Sequence, residues 1–118
     1  MTDAYLPRLF GQHLARDRRR SAHTVRAYEA TAVRLTAFLG EHWGEAVDAA
    51  ALGQVSGADI RAYLAMRRGQ GLGNASAARE LSALKALLGF ARDKAGIADS
   101  AGPRLRGPRV KKGLPRPV

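Results

Sequence analysis

Apolar residues recur at intervals of three and four through most of residues 1–95, and runs of alternating β-branched residues do not occur. This spacing brings apolar side chains onto one face of a helix, whereas a half-buried strand requires strict alternation. Four helices are predicted: one over about residues 4–16, one that begins after Ser21 and runs to about Leu39, one after Ser56 and one after the glycines at 69–73. We therefore expect a compact all-α domain in which four helices share one core.

Local signals indicate where these helices begin and end. Ser21 is a predicted N-cap, and Ser56 is followed three residues later by an acid, which is a capping-box pattern. Gly40 is expected to end the second helix, because glycine tolerates the left-handed conformation found there. The fourth helix is expected to begin at a cap formed by Asn74 or Ser76, directly after a tight turn.

The fourth helix has two different faces. Its predicted core side carries Ala77, Leu81, Leu84, Leu88 and Ala91. At 100° per residue, the opposite side carries Arg79, Ser82, Ala83 and Ala86, with Lys85 at its flank. Small residues permit close approach to a major groove of DNA, and Arg79 can reach a phosphate or a guanine edge. A simply solvated helix face explains this pattern, taken alone, equally well.

Charge favours a polyanionic partner. The 118 residues carry 20 Lys and Arg against 10 Asp and Glu, a net charge of +10 with an isoelectric point near 11.2. Nucleic acid and an anionic membrane surface both fit, and a merely soluble basic surface is the alternative. Six of the ten net charges lie in residues 101–118, where four prolines exclude a continuous helix. We expect a domain at 1–100 and an extended basic linker at 101–118.

Signals for an enzyme are weak. His13 and His23 each begin an H-x-x-R match, but arginine is frequent and no nucleophile or base accompanies either one. The glycines at 69–73 are too few for a phosphate loop and follow no strand. Glu80 and the other carboxylates fall on separate turns, and three histidines without an acidic partner make a poor metal site. We expect no catalytic residue, no metal and no cofactor in this chain.

Targeting signals are also missing. No run approaches the roughly 20 apolar residues that a membrane span needs, and the N-terminus lacks the basic and apolar segments of a secretory signal. The chain contains no cysteine, which excludes disulfides and thiolate metal sites. We expect a cytoplasmic protein.

The start of the second helix is a predicted phosphate-binding corner. Ser21, Thr24 and Arg26 lie there beside the free amides of a helix N-terminus, which attract anions. Tyr28 is expected at the edge of the core, with its hydroxyl reaching the surface.

Three segments, in order, resemble one known family. S-x-x-T-x-x-x-Y runs from Ser21 to Tyr28, G-L-G-x-x-S-x-x-R-x-L-S-A-L-K occupies 71–85, and the tail holds Pro108, Arg109, Lys112, Leu114 and Pro115. The chain is similar to the N-terminal core-binding domain, a SAM-like helical domain, of tyrosine recombinases and integrases of the Xer type. That family often has arginine in place of Lys85.

The resemblance implies a function. The domain would cover one face of double-stranded DNA in a C-shaped clamp, while a second domain, absent from this chain, would hold the tyrosine nucleophile that forms a 3′-phosphotyrosyl link. Four protomers would assemble on two duplexes to resolve chromosome dimers or integrate mobile DNA, without metal, nucleotide cofactor or membrane. The chain would then be a fragment of a longer enzyme and not itself an enzyme. The expected DNA-binding residues are Ser21, Thr24, Arg26, Ser76, Arg79, Ser82, Lys85, Lys111 and Lys112.

Two alternatives stay open on the residues alone. One is a stand-alone basic helical DNA-binding protein of the nucleoid type. The other is a helical protein-interaction domain whose positive charge is incidental. Salt-dependent affinity for duplex DNA separates the second from the first, because phosphate-dominated binding weakens as salt rises.

Overall fold

The computed structural model describes residues 6–97, and this range is helical without any strand. Five helices follow in order: α1 Leu6–Arg16, α2 Ala22–Trp43, α3 Ala49–Gly53, α4 Gly57–Gly69 and α5 Asn74–Ala95. The all-α prediction is confirmed, and α1, α2, α4 and α5 are the four predicted helices. The short α3 is an addition. Asp48 caps it by accepting a hydrogen bond from the Ala51 N–H at 2.8 Å.

Two of the predicted N-terminal caps are confirmed. The Ser21 Oγ accepts a hydrogen bond from the Thr24 backbone N–H at 3.1 Å at the start of α2. At α4, Ser56 and Asp59 exchange both hydrogen bonds of a capping box. Each bond satisfies a backbone donor that the first turn of a helix would otherwise leave unpaired.

Two predicted helix ends are wrong. Gly40 does not end α2, which continues to Trp43 and stops at Gly44, a residue with φ of 74° whose N–H bonds to the Gly40 carbonyl at 2.9 Å. The extra turn is retained because Trp43 packs against the core. Neither Asn74 nor Ser76 caps α5: the N-cap is Gly73, and the Asn74 side chain instead accepts a hydrogen bond from Arg68 at 2.9 Å.

The core is built around α5. This helix packs against α3 and α2, while α2 also packs against α1 and α4. All five predicted core residues of α5 are buried, and the largest fully buried side chains elsewhere include Phe10, Leu35, Leu39, Leu52, Ile60 and Tyr63. Tyr28 is half-buried at the edge of this core, stacked on Phe10 with ring centroids 6.5 Å apart.

The predicted outer face of α5 is too wide. Ala83 is buried, with 2% of its surface exposed, and Ala86 is partly buried against the core. Because α5 is covered by α2 and α3 together, it buries a broader arc than one apolar stripe would require. The outward-facing residues that remain exposed on this side are Arg79, Ser82 and Lys85.

The turn between α4 and α5 depends on a single glycine conformation. Gly71 has φ of 101°, a value that residues with a Cβ rarely adopt, whereas Gly73 has an ordinary negative φ. The Leu72 N–H bonds back to the Arg67 carbonyl at 3.1 Å, which closes the turn. Arg67 and the start of α5 are thereby brought close together. No helix within residues 6–97 is long and apolar enough to cross a membrane.

Candidate nucleic-acid interface

A groove with a volume of about 560 Å³ runs between α2 and α5. The α2 wall contributes Thr24, Thr31 and Arg34, and the α5 wall contributes Ser76, Arg79 and Ser82. Arg20 and His23 line it at the start of α2. Hydroxyl and guanidinium groups from two helices therefore face one space.

The groove brings together four of the residues predicted as DNA contacts, namely Thr24, Ser76, Arg79 and Ser82. Ser21 lies at the same end of α2, where its hydroxyl donates to the Thr24 Oγ1 at 3.1 Å. Arg26 and Lys85 are exposed but do not line the groove. Lys111 and Lys112 lie outside the described residues, as does the whole segment 101–118. As DNA contacts, all nine residues remain predictions.

The α5 wall is organised by the helix itself. The Arg79 Nη2 donates to the Ser76 Oγ, one turn earlier, at 3.1 Å, and the Ser82 hydroxyl donates to the Ala78 carbonyl at 3.3 Å. Residues three and four apart are neighbours on a helix surface, so these bonds follow from the local sequence. Arg79 is exposed and keeps most of its donors for a ligand.

At the floor of the groove lies Glu80, a buried carboxylate with 7% of its surface exposed. Its Oε1 accepts hydrogen bonds from the Tyr63 hydroxyl at 2.5 Å and from the Arg67 Nε at 3.0 Å. Its Oε2 accepts from the Arg67 Nη2 and from the Arg34 Nη2, both at 3.2 Å. We call Arg34, Tyr63, Arg67 and Glu80 the Glu80 cluster.

Sequence reasoning missed this cluster, because it treated Glu80 as an isolated acid. Arg34 lies 46 residues before Glu80, and Tyr63 lies 17 residues before it. Only a fold that lays α2 and α4 beside α5 brings these groups together. The sequence held one signal for the cluster: an acid at position 80, next to the predicted core residues of α5. A charged side chain that is buried at such a position needs a partner of opposite charge.

With this geometry in place, comparison with known proteins shows the family. Residues 8–95 match the family model described as phage integrase, N-terminal SAM-like domain. The chain belongs to this family. The predicted resemblance to the N-terminal domain of recombinases and integrases is thus confirmed.

Three curated relatives of this chain are each named tyrosine recombinase XerC. The chain is 38% identical to the protein of Mesorhizobium japonicum over 106 residues, covering 89% of this chain and 34% of the relative. It is 35% identical to that of Nitrobacter winogradskyi, covering 90% and 33%, and 33% identical to that of Rhodospirillum centenum, covering 92% and 32%. The chain therefore spans about a third of the length of these relatives. No solved structure matches it significantly.

Interactions within the Glu80 cluster shift the pKa values of Glu80, Tyr63 and Arg67. Burial acts on the Glu80 carboxylate to raise its pKa, but the hydrogen bonds from Arg67 and Tyr63 and the charges of both arginines outweigh burial. The pKa of Glu80 is consequently below its usual value, and the group is ionised at neutral pH. Burial and the hydrogen bond to Glu80 raise the pKa of Tyr63 to about 12, so its hydroxyl keeps its proton. The hydrogen bond to Glu80 likewise raises the pKa of Arg67.

The histidines of the SAM-like domain are dispersed. His13 bonds to Asp17 at 3.0 Å and packs on the Phe90 ring, in a separate cleft between the ends of α1 and α5. His42 lies 3.6 Å from Asp59, and His23 lies in the groove. Within residues 6–97, no three His, Cys, Asp or Glu side chains come together as a metal site.

Proposed function

We propose that this SAM-like domain binds double-stranded DNA as the DNA-binding part of a site-specific tyrosine recombinase of the Xer type. The observation that carries the proposal is the groove between α2 and α5, in a chain whose curated relatives are named tyrosine recombinases. Thr24, Ser76, Arg79 and Ser82 come from sequence segments far apart and line this one groove.

The chemistry of the groove suits a phosphate backbone. Most hydrogen bonds between proteins and DNA go to phosphate and sugar, from arginine, lysine and hydroxyl side chains. Arg20, Arg34 and Arg79 bring three positive charges to the groove against the one negative charge of Glu80. An excess of positive charge beside hydroxyl donors attracts a polyanion and orients it.

The family resemblance suggests that DNA binding and DNA cleavage are carried out by different domains. We propose that this domain covers one face of the duplex, and that the groups that cut and rejoin DNA through a 3′-phosphotyrosyl link belong to a separate domain. Contacts between protomers on two duplexes would complete the assembly. Binding of a phosphate backbone by these side chains needs neither a metal nor a nucleotide.

A salt-dependent titration tests the proposal. Labelled duplex DNA is titrated with the full chain at several salt concentrations, beside Arg79→Ala and the double variant Lys111→Ala/Lys112→Ala. Arg79→Ala should weaken binding and lower the slope of log affinity against log salt by about one, because one phosphate contact is lost. The double variant measures the part of the salt slope that Lys111 and Lys112 contribute independently of the groove.

Arg61→Ala is the matched control. Arg61 is exposed on α4 and does not line the groove, so its removal takes away the same charge elsewhere. Affinity that ignores salt in the unaltered chain contradicts DNA binding and favours a protein-interaction domain. Equal losses for Arg61→Ala and Arg79→Ala indicate non-specific attraction to the whole surface and contradict a role for the groove.

A further inference from the structure

Arg34 is a groove residue that the sequence did not single out. It lies on α2, its side chain is 39% exposed, and it lines the groove beside Thr31 and Glu80. Its Nη2 donates to the Glu80 Oε2 and to the Thr31 Oγ1, each at 3.2 Å. Both of these hydrogen bonds use Nη2, so the partly exposed guanidinium keeps donor capacity for a ligand in the groove.

The charges of the Glu80 cluster do not balance. Arg67 binds Glu80 through two nitrogens, at 3.0 and 3.2 Å, and its side chain is only 19% exposed. This two-pronged pair already matches one carboxylate with one guanidinium. Arg34 adds a second positive charge to the same carboxylate. The uncompensated charge lies with Arg34, which is the more exposed arginine and the one that lines the groove.

Arg34 is also held in place. The Thr31 hydroxyl donates to the Ala27 carbonyl at 3.3 Å, which leaves its oxygen free to accept from Arg34. Glu80 is in turn fixed by Tyr63 and Arg67. A guanidinium that is already ordered loses less conformational entropy when it binds a ligand. Arg79, by contrast, is exposed and has one side-chain partner, Ser76.

The position of Arg34 carries a structural cost. Its Nε is buried and has no hydrogen-bond partner among the described residues. A buried donor left unpaired is unfavourable to folding. Arg67 already binds both oxygens of Glu80, so Arg34 is a second, more exposed arginine placed on this carboxylate at a structural cost.

We infer that Arg34 binds a backbone phosphate of DNA at the floor of the groove, and that Glu80, fixed by Arg67 and Tyr63, positions it. The inference rests on the proposed function and adds to it a phosphate-binding residue and the buried cluster that orients that residue. Arg34 supplies the charge that the phosphate needs, and the hydroxyl of Thr31 lies beside it.

The first test removes the guanidinium and keeps the aliphatic stem. Arg34→Met should lower affinity for duplex DNA roughly tenfold or more, as expected for a hydrogen-bonded charge pair, and should reduce the salt slope by about one. Its melting temperature should equal or exceed that of the unaltered chain, because the unpaired Nε is removed. Arg34→Lys should keep the salt slope while losing part of the affinity, since it retains the charge without the fork.

The second test addresses positioning. Tyr63→Phe removes a hydrogen bond to Glu80 but no charge, so affinity should fall several-fold while the salt slope stays unchanged. In the Arg34→Met background, Tyr63→Phe should cause no further loss of affinity. An equal loss in both backgrounds means that Tyr63 does not act through Arg34 and overturns the positioning role.

The outcomes separate the inference from the proposed function. If Arg34→Met retains affinity and slope while Arg79→Ala loses both, Arg34 is not a phosphate contact, yet the groove still binds DNA. If Arg34→Met melts well below the unaltered chain, the role of Arg34 is structural and the inference fails. If the unaltered chain shows no salt-dependent binding, the proposed function itself fails. Arg61→Met, the matched control on α4, should change affinity less than about twofold.

Discussion

Removing the Glu80 carboxylate takes away the acceptor that Arg34, Tyr63 and Arg67 share. In Glu80→Ala, the Tyr63 hydroxyl and the Arg67 guanidinium lose the partner that satisfies them inside the domain. Arg34 loses its hydrogen bond to Glu80, but its exposed part can turn to water. Two positive charges would then face each other beside the core.

The magnitude follows from which of these bonds are buried. Glu80 accepts four hydrogen bonds, three of them from Tyr63 and Arg67, whose side chains are largely shielded. Breaking a buried ion pair by removing one partner costs about 3–5 kcal/mol. We discount the Arg34 bond because that side chain is 39% exposed. The loss is large compared with the free energy of unfolding of a typical domain, about 5–15 kcal/mol. It corresponds to a fall in melting temperature of at least about 12 °C.

Thermal and urea unfolding followed by circular dichroism measure this loss. Glu80→Gln, which keeps the shape and one acceptor oxygen, should lose less free energy of unfolding than Glu80→Ala. Glu41→Ala is the surface control: Glu41 is exposed on the same helix as Arg34 and should change stability by no more than about 0.5 kcal/mol. The triple variant Arg34→Met/Arg67→Met/Glu80→Leu should recover part of the loss, because apolar replacement of a group of paired charges is often neutral, while the buried Tyr63 hydroxyl still lacks its acceptor.

Two results would refute the reasoning. Glu80→Ala within about 0.5 kcal/mol of the unaltered chain would mean that the carboxylate is not held by Tyr63 and Arg67 in solution. A triple variant less stable than Glu80→Ala would mean that the arginines contribute to folding independently of Glu80.

Three further predictions concern stability. Glu80 should make folding pH-dependent, because its pKa is lower in the folded chain than the unfolded value of about 4.3. The stabilisation by Glu80 is therefore present above that pH and is lost as the pH falls through the folded pKa. The difference in unfolding free energy between the unaltered chain and Glu80→Gln should narrow on acidification, and a constant difference would contradict the pKa shift. Leu84→Ala should cost about 2–5 kcal/mol, because Leu84 is fully buried, and an unchanged urea midpoint would be inconsistent with that packing. Gly44→Ala should cost about 1 kcal/mol of stability, because Gly44 ends α2 with φ of 74°, which disfavours a residue with a Cβ. Ala37→Gly, at an exposed site inside α2, should cost a similar amount, because glycine has a lower helix propensity than alanine. A Gly44→Ala variant as stable as the unaltered chain would show that the left-handed cap is not required.

The sequence alone determined four of the five helices and five of the buried residues of α5. Spacings of three and four residues fix which side chains share a helix face, and the Ser21 and Ser56 caps act within one turn, so neither depends on distant contacts. The family was also within reach of the sequence, because its motifs lie in short segments whose order and separation can be read directly.

Only the tertiary structure decided the rest. The end of α2 at Gly44 depended on the packing of Trp43, and the burial of Ala83 depended on α5 being covered by two helices at once. The Glu80 cluster joins α2, α4 and α5 across up to 46 residues of sequence. The partners of a buried charge are the groups near it in space, and these need not be near it in the sequence. The packing of the helices therefore decided which side chains form the floor of the groove.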